Sequence, residues 1–315
     1  MKNQSDKRDE FKNKTNGAGA GHEAAQTLKN TGVSDSTIFS IFSNSISCFL
    51  KNYFIIIPFL LQKLSHSGLF FLTILIFLNI SAFSTLNSFI QNEIVSFEDI
   101  FTSDFLFLLY DTLISNFIYV ILLVLFYFLG KAFINSILKS GVIGTYSDYF
   151  QFGKKISTNS FLKHVKENTL KIFIYEISKL VTVFAGLIVF IPAYIFISNA
   201  FESNIFLLLL FLTLLISAIF IFALWYIIVN FFFEMGPFFA VIDKQNISSS
   251  IKNSLRFPFR FPISFLFIEF LFFSLSLFTS IFNLTGILSI IGALIDIVLL
   301  RPLFYATLTR LFLNK

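Results

Sequence analysis

The sequence predicts an all-α, polytopic helical membrane protein: six transmembrane helices as three hairpins, with interfacial amphipathic helices. Three observations carry this. Of 315 residues, 56% are hydrophobic and 13% charged, with a mean hydropathy of +0.82. Soluble domains carry about a quarter charged residues, so an ordinary water-exposed surface cannot be assembled from this chain. Six stretches are apolar over the roughly 20 residues a helix needs to cross about 30 Å of hydrocarbon. Lysine and arginine then fall in alternate connections between those stretches, as the positive-inside rule requires.

Residues 1–36 are polar, mixed in charge and poor in apolar side chains, and read as a disordered cytoplasmic tail. They show no charged n-region followed by an apolar h-region, so a cleavable signal peptide is not expected. The glycine-rich GAGAGH follows no strand and reads as flexible linker. Cys48, the single cysteine, excludes an internal disulfide and reads as a small buried apolar group.

The membrane domain occupies 37–315, with spans at about 53–83, 105–130, 172–198, 205–235, 262–282 and 286–311. In the first, the polar QKLSHS divides two apolar pieces, so 53–64 is either an interfacial helix or the start of one long tilted helix. The 84–104 connection has no cation but carries Glu93, Glu98, Asp99 and Asp104. The 131–171 segment carries Lys131, Lys139, Lys154, Lys155, Lys163, Lys166 and Lys171. Glu202 is the one charge of the 199–204 turn, whereas 236–261 holds Lys244, Lys252, Arg256 and Arg260. The 283–285 turn is uncharged, and Arg310 and Lys315 close the chain. This alternation puts both termini in the cytoplasm of a cell membrane. Pro302 can bend the last helix without ending it.

Between the fourth and fifth spans, Ile247, Ile251 and Leu255 recur every four residues, the stripe of a short helix lying in the interface. The triplet 248–250 supplies serine hydroxyls for its first free N–H groups. Phe257, Phe259 and Phe261 alternate with Pro258, Arg260 and Pro262, which suits an extended lead into the fifth span. Lys171, Lys252, Arg256 and Arg260 read as contacts to anionic lipid headgroups. The same device, a serine-bearing amphipathic stretch before a span, occurs at 36–58, 157–176 and 248–269, so the hairpins are expected to be parallel repeats.

The segments GVIGTYSDYFQFGKKISTNSFLKHVKENTLKIF (141–173) and FFAVIDKQNISSSIKNSLRFPFRFPISF (238–265) resemble a loose superfamily of prokaryotic six-span membrane proteins. It includes the membrane domain of some glycerophosphodiester phosphodiesterases and related uncharacterised stand-alone proteins. The resemblance covers roughly 37–312. In such phosphodiesterases the chemistry belongs to a separate soluble barrel, so the resemblance implies architecture and not an enzyme.

No catalytic constellation stands out. His22, His66 and His164 lie in different regions, too dispersed for a three-ligand zinc site, and GxSxG, P-loop and HExxH patterns are missing. No cofactor or metal is expected, and cations at the edges of apolar runs point to membrane rather than nucleic acid. The candidate site is instead a set of intramembrane polar groups, each costing several kcal/mol in the bilayer. It comprises Glu176, Lys179, Asn230, Glu234, Glu269, Asp296 and Arg301, with Asp111 apart. At 1.5 Å per residue, Glu269 lies about 10 Å and Arg301 about 13 Å from the cytoplasmic edge, so an ion pair between them is expected. Glu176 and Lys179 share a helical face. Asp296 stands about 140° around the helix from Arg301, which argues against pairing within the helix. Most of these groups fall at one level, consistent with paired charges that glue helices together or with an inward-open polar cavity. The expected role is non-enzymatic: membrane organisation, with lipid or a membrane-protein partner bound at the basic cytoplasmic face. The alternative is a transporter of a small solute or lipid.

Overall fold

The computed structural model describes residues 38–92, 117–200, 205–282 and 288–314, and every regular element in them is helical. The tail, Asp111 and most of the cation-free connections lie outside these residues. Eleven α-helices follow in chain order among the described residues: α1 (Ile38–Lys51), α2 (Ile56–Asn92), α3 (Phe117–Phe152), α4 (Thr158–Ala185), α5 (Ile191–Ala200), α6 (Ile205–Phe233), α7 (Gly236–Val241), α8 (Ile247–Arg260), α9 (Pro262–Phe282), α10 (Leu288–Ile295) and α11 (Arg301–Leu313). Single 3₁₀ turns join α1 to α2 and α4 to α5, and a π turn over Asp296–Leu300 joins α10 to α11.

Six helical segments are long and apolar enough to span a membrane: Tyr53–Phe77, Phe117–Phe152, Thr158–Ile195, Leu209–Val241, Pro262–Ile281 and Ser289–Leu313. They pair in sequence, α2 with α3, α4–α5 with α6, and α9 with α10–α11, giving three hairpins. The protein is a multi-pass helical membrane protein. Only 6% of the apolar stretch of α3 is covered by protein, against 39% in the last span. Ile118, Phe220 and Phe270 are accordingly bare, as side chains facing lipid should be.

Among the described residues, the buried clusters gather at one end of the bundle. The largest cluster joins Ile143, Ile172, Phe238, Phe257, Phe265 and Phe312, drawn from α3, α4, α7, α8, α9 and α11. A second unites Cys48 and Phe49 of α1 with Val142, Tyr146 and Ala306. On α1 the buried residues are Ile41, Ser45, Cys48 and Phe49, one helical stripe, and it docks against α11.

Three expectations are corrected here. The 131–171 segment is not a loop: α3 runs on to Phe152, a five-residue turn follows, and α4 starts at Thr158. With 36 residues, α3 is about 54 Å long, nearly twice the hydrocarbon thickness, and its second half enters the protein core. Gly141 and Gly144 permit this, because a Cβ at either would strike Phe161 or His164 of α4. Gly153 ends α3 in the left-handed region at φ 64°. Second, the repeat is uneven. The α1 and α8 units are separate 14-residue helices, whereas the middle unit is continuous with its span in α4. Pro58 and Pro262 stand at the corresponding places in the outer units, and α4 contains no proline. Third, 257–260 is helical and not extended: Pro258 lies inside α8, and only Phe261, at φ −128° and ψ 55°, leaves the helix before Pro262 starts α9.

Candidate functional site

The polar groups gather where α3, α4, α6, α9 and α11 meet. Lys139 Nζ lies 2.9 Å from Glu176 Oε1, with both side chains less than 10% exposed. Lys139 was a loop cation by sequence; it is the partner that Glu176 needs to be buried as a charge. The signal was legible in the run of small residues Ser136, Ser140 and Gly144, spaced by four, which lets a second helix approach α3 closely. Lys179 shares the Glu176 face but forms no ion pair among the described residues. It lies within electrostatic reach of Lys139, Glu176, Glu234 and Glu269. Glu234 occupies the short turn between α6 and α7 and acts on Lys139, Glu269 and Tyr305. Asn230 does not join them through its amide, which donates to the Tyr226 carbonyl of its own helix at 2.7 Å.

The expected Glu269–Arg301 pair is absent. Arg301 Nε instead donates to Asp296 Oδ2 at 2.7 Å, the intrahelical pair that α-helical geometry argued against. The cause is the π turn between them. Its i→i−5 pattern, with Arg301 N–H donating to the Asp296 carbonyl, brings residues five apart onto nearly one face. Pro302 contributes, since it has no N–H to offer the carbonyl four residues back. Glu269 and Arg301 nonetheless line the same cavity, of about 280 Å³, with Ser276, Asp296 and three phenylalanines. Oε1 of Glu269 is buried without a hydrogen bond.

Helix α8 turns a polar side inward, with Ser250 and Ser254 buried. Ser254 Oγ donates to the Phe232 carbonyl at 2.6 Å and lies 3.3 Å from the Tyr175 hydroxyl, which donates to the Phe233 carbonyl at 2.7 Å. Gly236 leaves room for that tyrosine; a Cβ there would overlap its ring. The cap of α8 is Asn246, whose side chain accepts from Ser249 N–H at 2.9 Å, rather than the serine triplet. Ile247, Ser248, Ile251, Lys252, Leu255 and Arg256 line a trough of about 610 Å³, although Ile251 also packs inward against the Tyr175, Val229 and Phe233 cluster. Lys252, Arg256 and Arg260 are exposed, while Lys171 is half-buried on α4.

Asp148 clamps the α3–α4 turn, accepting from Ser160 Oγ at 3.1 Å and lying 3.0 Å from His164 Nε2. Both contacts use one carboxylate oxygen, and Ser160 donates to Asp148 rather than to His164, so these three do not form a nucleophile–base relay. Among the described residues no three His, Cys, Asp or Glu side chains are placed to hold a metal. Cys48 is fully buried, and burial pushes its thiol up to about 12. Comparison with family models, curated proteins and solved structures finds no match.

Proposed function

We propose that the protein is a non-enzymatic component of a cell membrane that binds anionic lipid at a basic cytoplasmic face, with α8 as the contact. The carrying observation is the α8 trough. Its apolar wall is formed by the exposed Leu255 and the part-buried Ile247, and the exposed Lys252 and Arg256 stand beside it. A helix anchored inward by Ser254 and Phe257, with an apolar and cationic outer side, suits a lipid–water boundary. The resemblance to the six-span superfamily supports the non-enzymatic part of this reading alone, and the cation alternation supports cytoplasmic termini. Each surface cation is worth about 1 kcal/mol toward anionic lipid, so Lys252→Gln with Arg256→Gln should weaken retention of phosphatidylglycerol about thirtyfold. Native mass spectrometry of the purified chain in mixed phosphatidylglycerol and phosphatidylcholine reads this; equal retention by both proteins would sink the proposal.

A transport role is the second reading, favoured by the cavity that holds the unbonded Glu269 oxygen beside Asp296 and Arg301. Glu269→Gln and Asp296→Asn separate the two. Flux lost from reconstituted vesicles at unchanged abundance supports transport, and abundance lost alone supports helix glue.

A further inference from the structure

A second concave region lies on the other side of Arg301, between α2, α3 and the start of α11. It measures about 440 Å³. Its polar lining includes Gln62, Lys63, His66 and Ser67 from α2, Lys131 and Asn135 from α3, and Arg301. No carboxylate lines it. Lys63 and Lys131 form no ion pair among the described residues, in contrast to Lys139. Gln62 Nε2 donates to Asn135 Oδ1 at 2.7 Å, which fixes α2 against α3 and holds the two lysines on opposite walls. Gly130, one residue before Lys131, lets the Leu69 methyls approach α3 closely. Three cations converge on one ring: Lys131, Arg301 and Lys63 all act on His66. The Nε2 atom of His66 is buried and has no hydrogen-bond partner among the described residues.

Among the described residues, Lys63 and Lys131 stand without an ion pair beside a ring whose Nε2 has no hydrogen-bond partner, an arrangement that is unfavourable because like charges repel. A bound anion removes the repulsion between the cations. Arg301 spends Nε on Asp296, which leaves its terminal NH₂ groups as donors, while Lys63 and Lys131 supply point charges. That combination of a fork and two ammonium groups matches the several acceptor oxygens of a phosphate better than a monatomic anion. The apolar end of the region, where Phe70 meets Tyr127 edge-on, continues toward lipid-facing Phe71.

We propose that this trough is a phosphate-binding site, held by Lys63, Lys131 and Arg301 with His66 beneath them. The phosphate comes either from an anionic phospholipid headgroup or from free inorganic phosphate. The site shares no residue with the α8 trough and does not depend on it.

The test uses the full chain purified in phospholipid-free detergent. In one arm inorganic phosphate is titrated against Tm, with sodium chloride matched for ionic strength. In the other, phosphatidylglycerol or phosphatidylcholine is added and retained lipid is counted by native mass spectrometry. Lys63→Gln with Lys131→Gln should lower apparent affinity by about tenfold or more in whichever arm responds, as loss of charge-assisted hydrogen bonds predicts. Lys63→Arg with Lys131→Arg should keep it. A Tm response identifies free phosphate, and selective phosphatidylglycerol retention identifies the headgroup. Lys252→Gln with Arg256→Gln should leave the site intact, so loss of lipid in that variant alone would keep the α8 reading and overturn this one. Wild-type protein that responds in neither arm also overturns it. If the double Gln variant does not elute as a single species, the two single Gln variants carry the comparison.

Discussion

Lys139→Met strands the Glu176 carboxylate in a site less than 10% exposed, which should cost about 3–5 kcal/mol, whereas Lys139→Met combined with Glu176→Met should be close to neutral. Denaturation midpoints of the three proteins in detergent check this; equal losses in single and double variants would assign the cost to packing instead. Cys48 makes a second prediction at this scale. With the thiol at about 12, about one molecule in ten thousand carries thiolate at pH 8, so maleimide should label the folded chain only after denaturation. The sign of the linkage follows. The unfolded thiol ionises near its ordinary 9.0, so stability from this group is complete below that pH and is lost as pH climbs toward 12. At residue level the sequence exposed which groups sit within spans but not their partners. Lys139 counts as a loop cation until α3 is known to continue past it, and Asp296 reaches Arg301 only through a π turn that no residue pattern announces.

Helices were more legible than their joints. The six apolar stretches and the stripe Ile247–Ile251–Leu255 follow from length and periodicity, which are local properties. The continuity of α3 to Phe152 depends instead on α4 covering its polar second half, a tertiary effect. The extended reading of 257–260 failed because Pro258 is tolerated inside α8, where Ser250, Ser254 and Phe257 already fix the helix against its neighbours. The cap at Asn246 gives a test at this scale. Asn246→Ala should cost about 1 kcal/mol and raise amide exchange in the first turn of α8, while Ser248→Ala should do neither. The reverse order would restore the serine triplet as the cap.

For the molecule as a whole, six apolar helices set the number of crossings, and the proposed orientation rests on the cation alternation. A reporter fused after Glu98 should be active outside the cytosol, and one after Gln245 inside it; a reversed pair of signals overturns the orientation. Among the described residues the buried clusters lie toward one end of the bundle. The docking of α1 on α11 has a temporal consequence. In an emerging chain the α1 stripe has α3 to meet beside Cys48, but its α11 cover is absent until the ribosome has passed Leu308, after five of six crossings are made. A stop codon after Phe282 should therefore yield a protein that inserts yet is cleared by membrane proteases, with pulse-chase half-life as the readout.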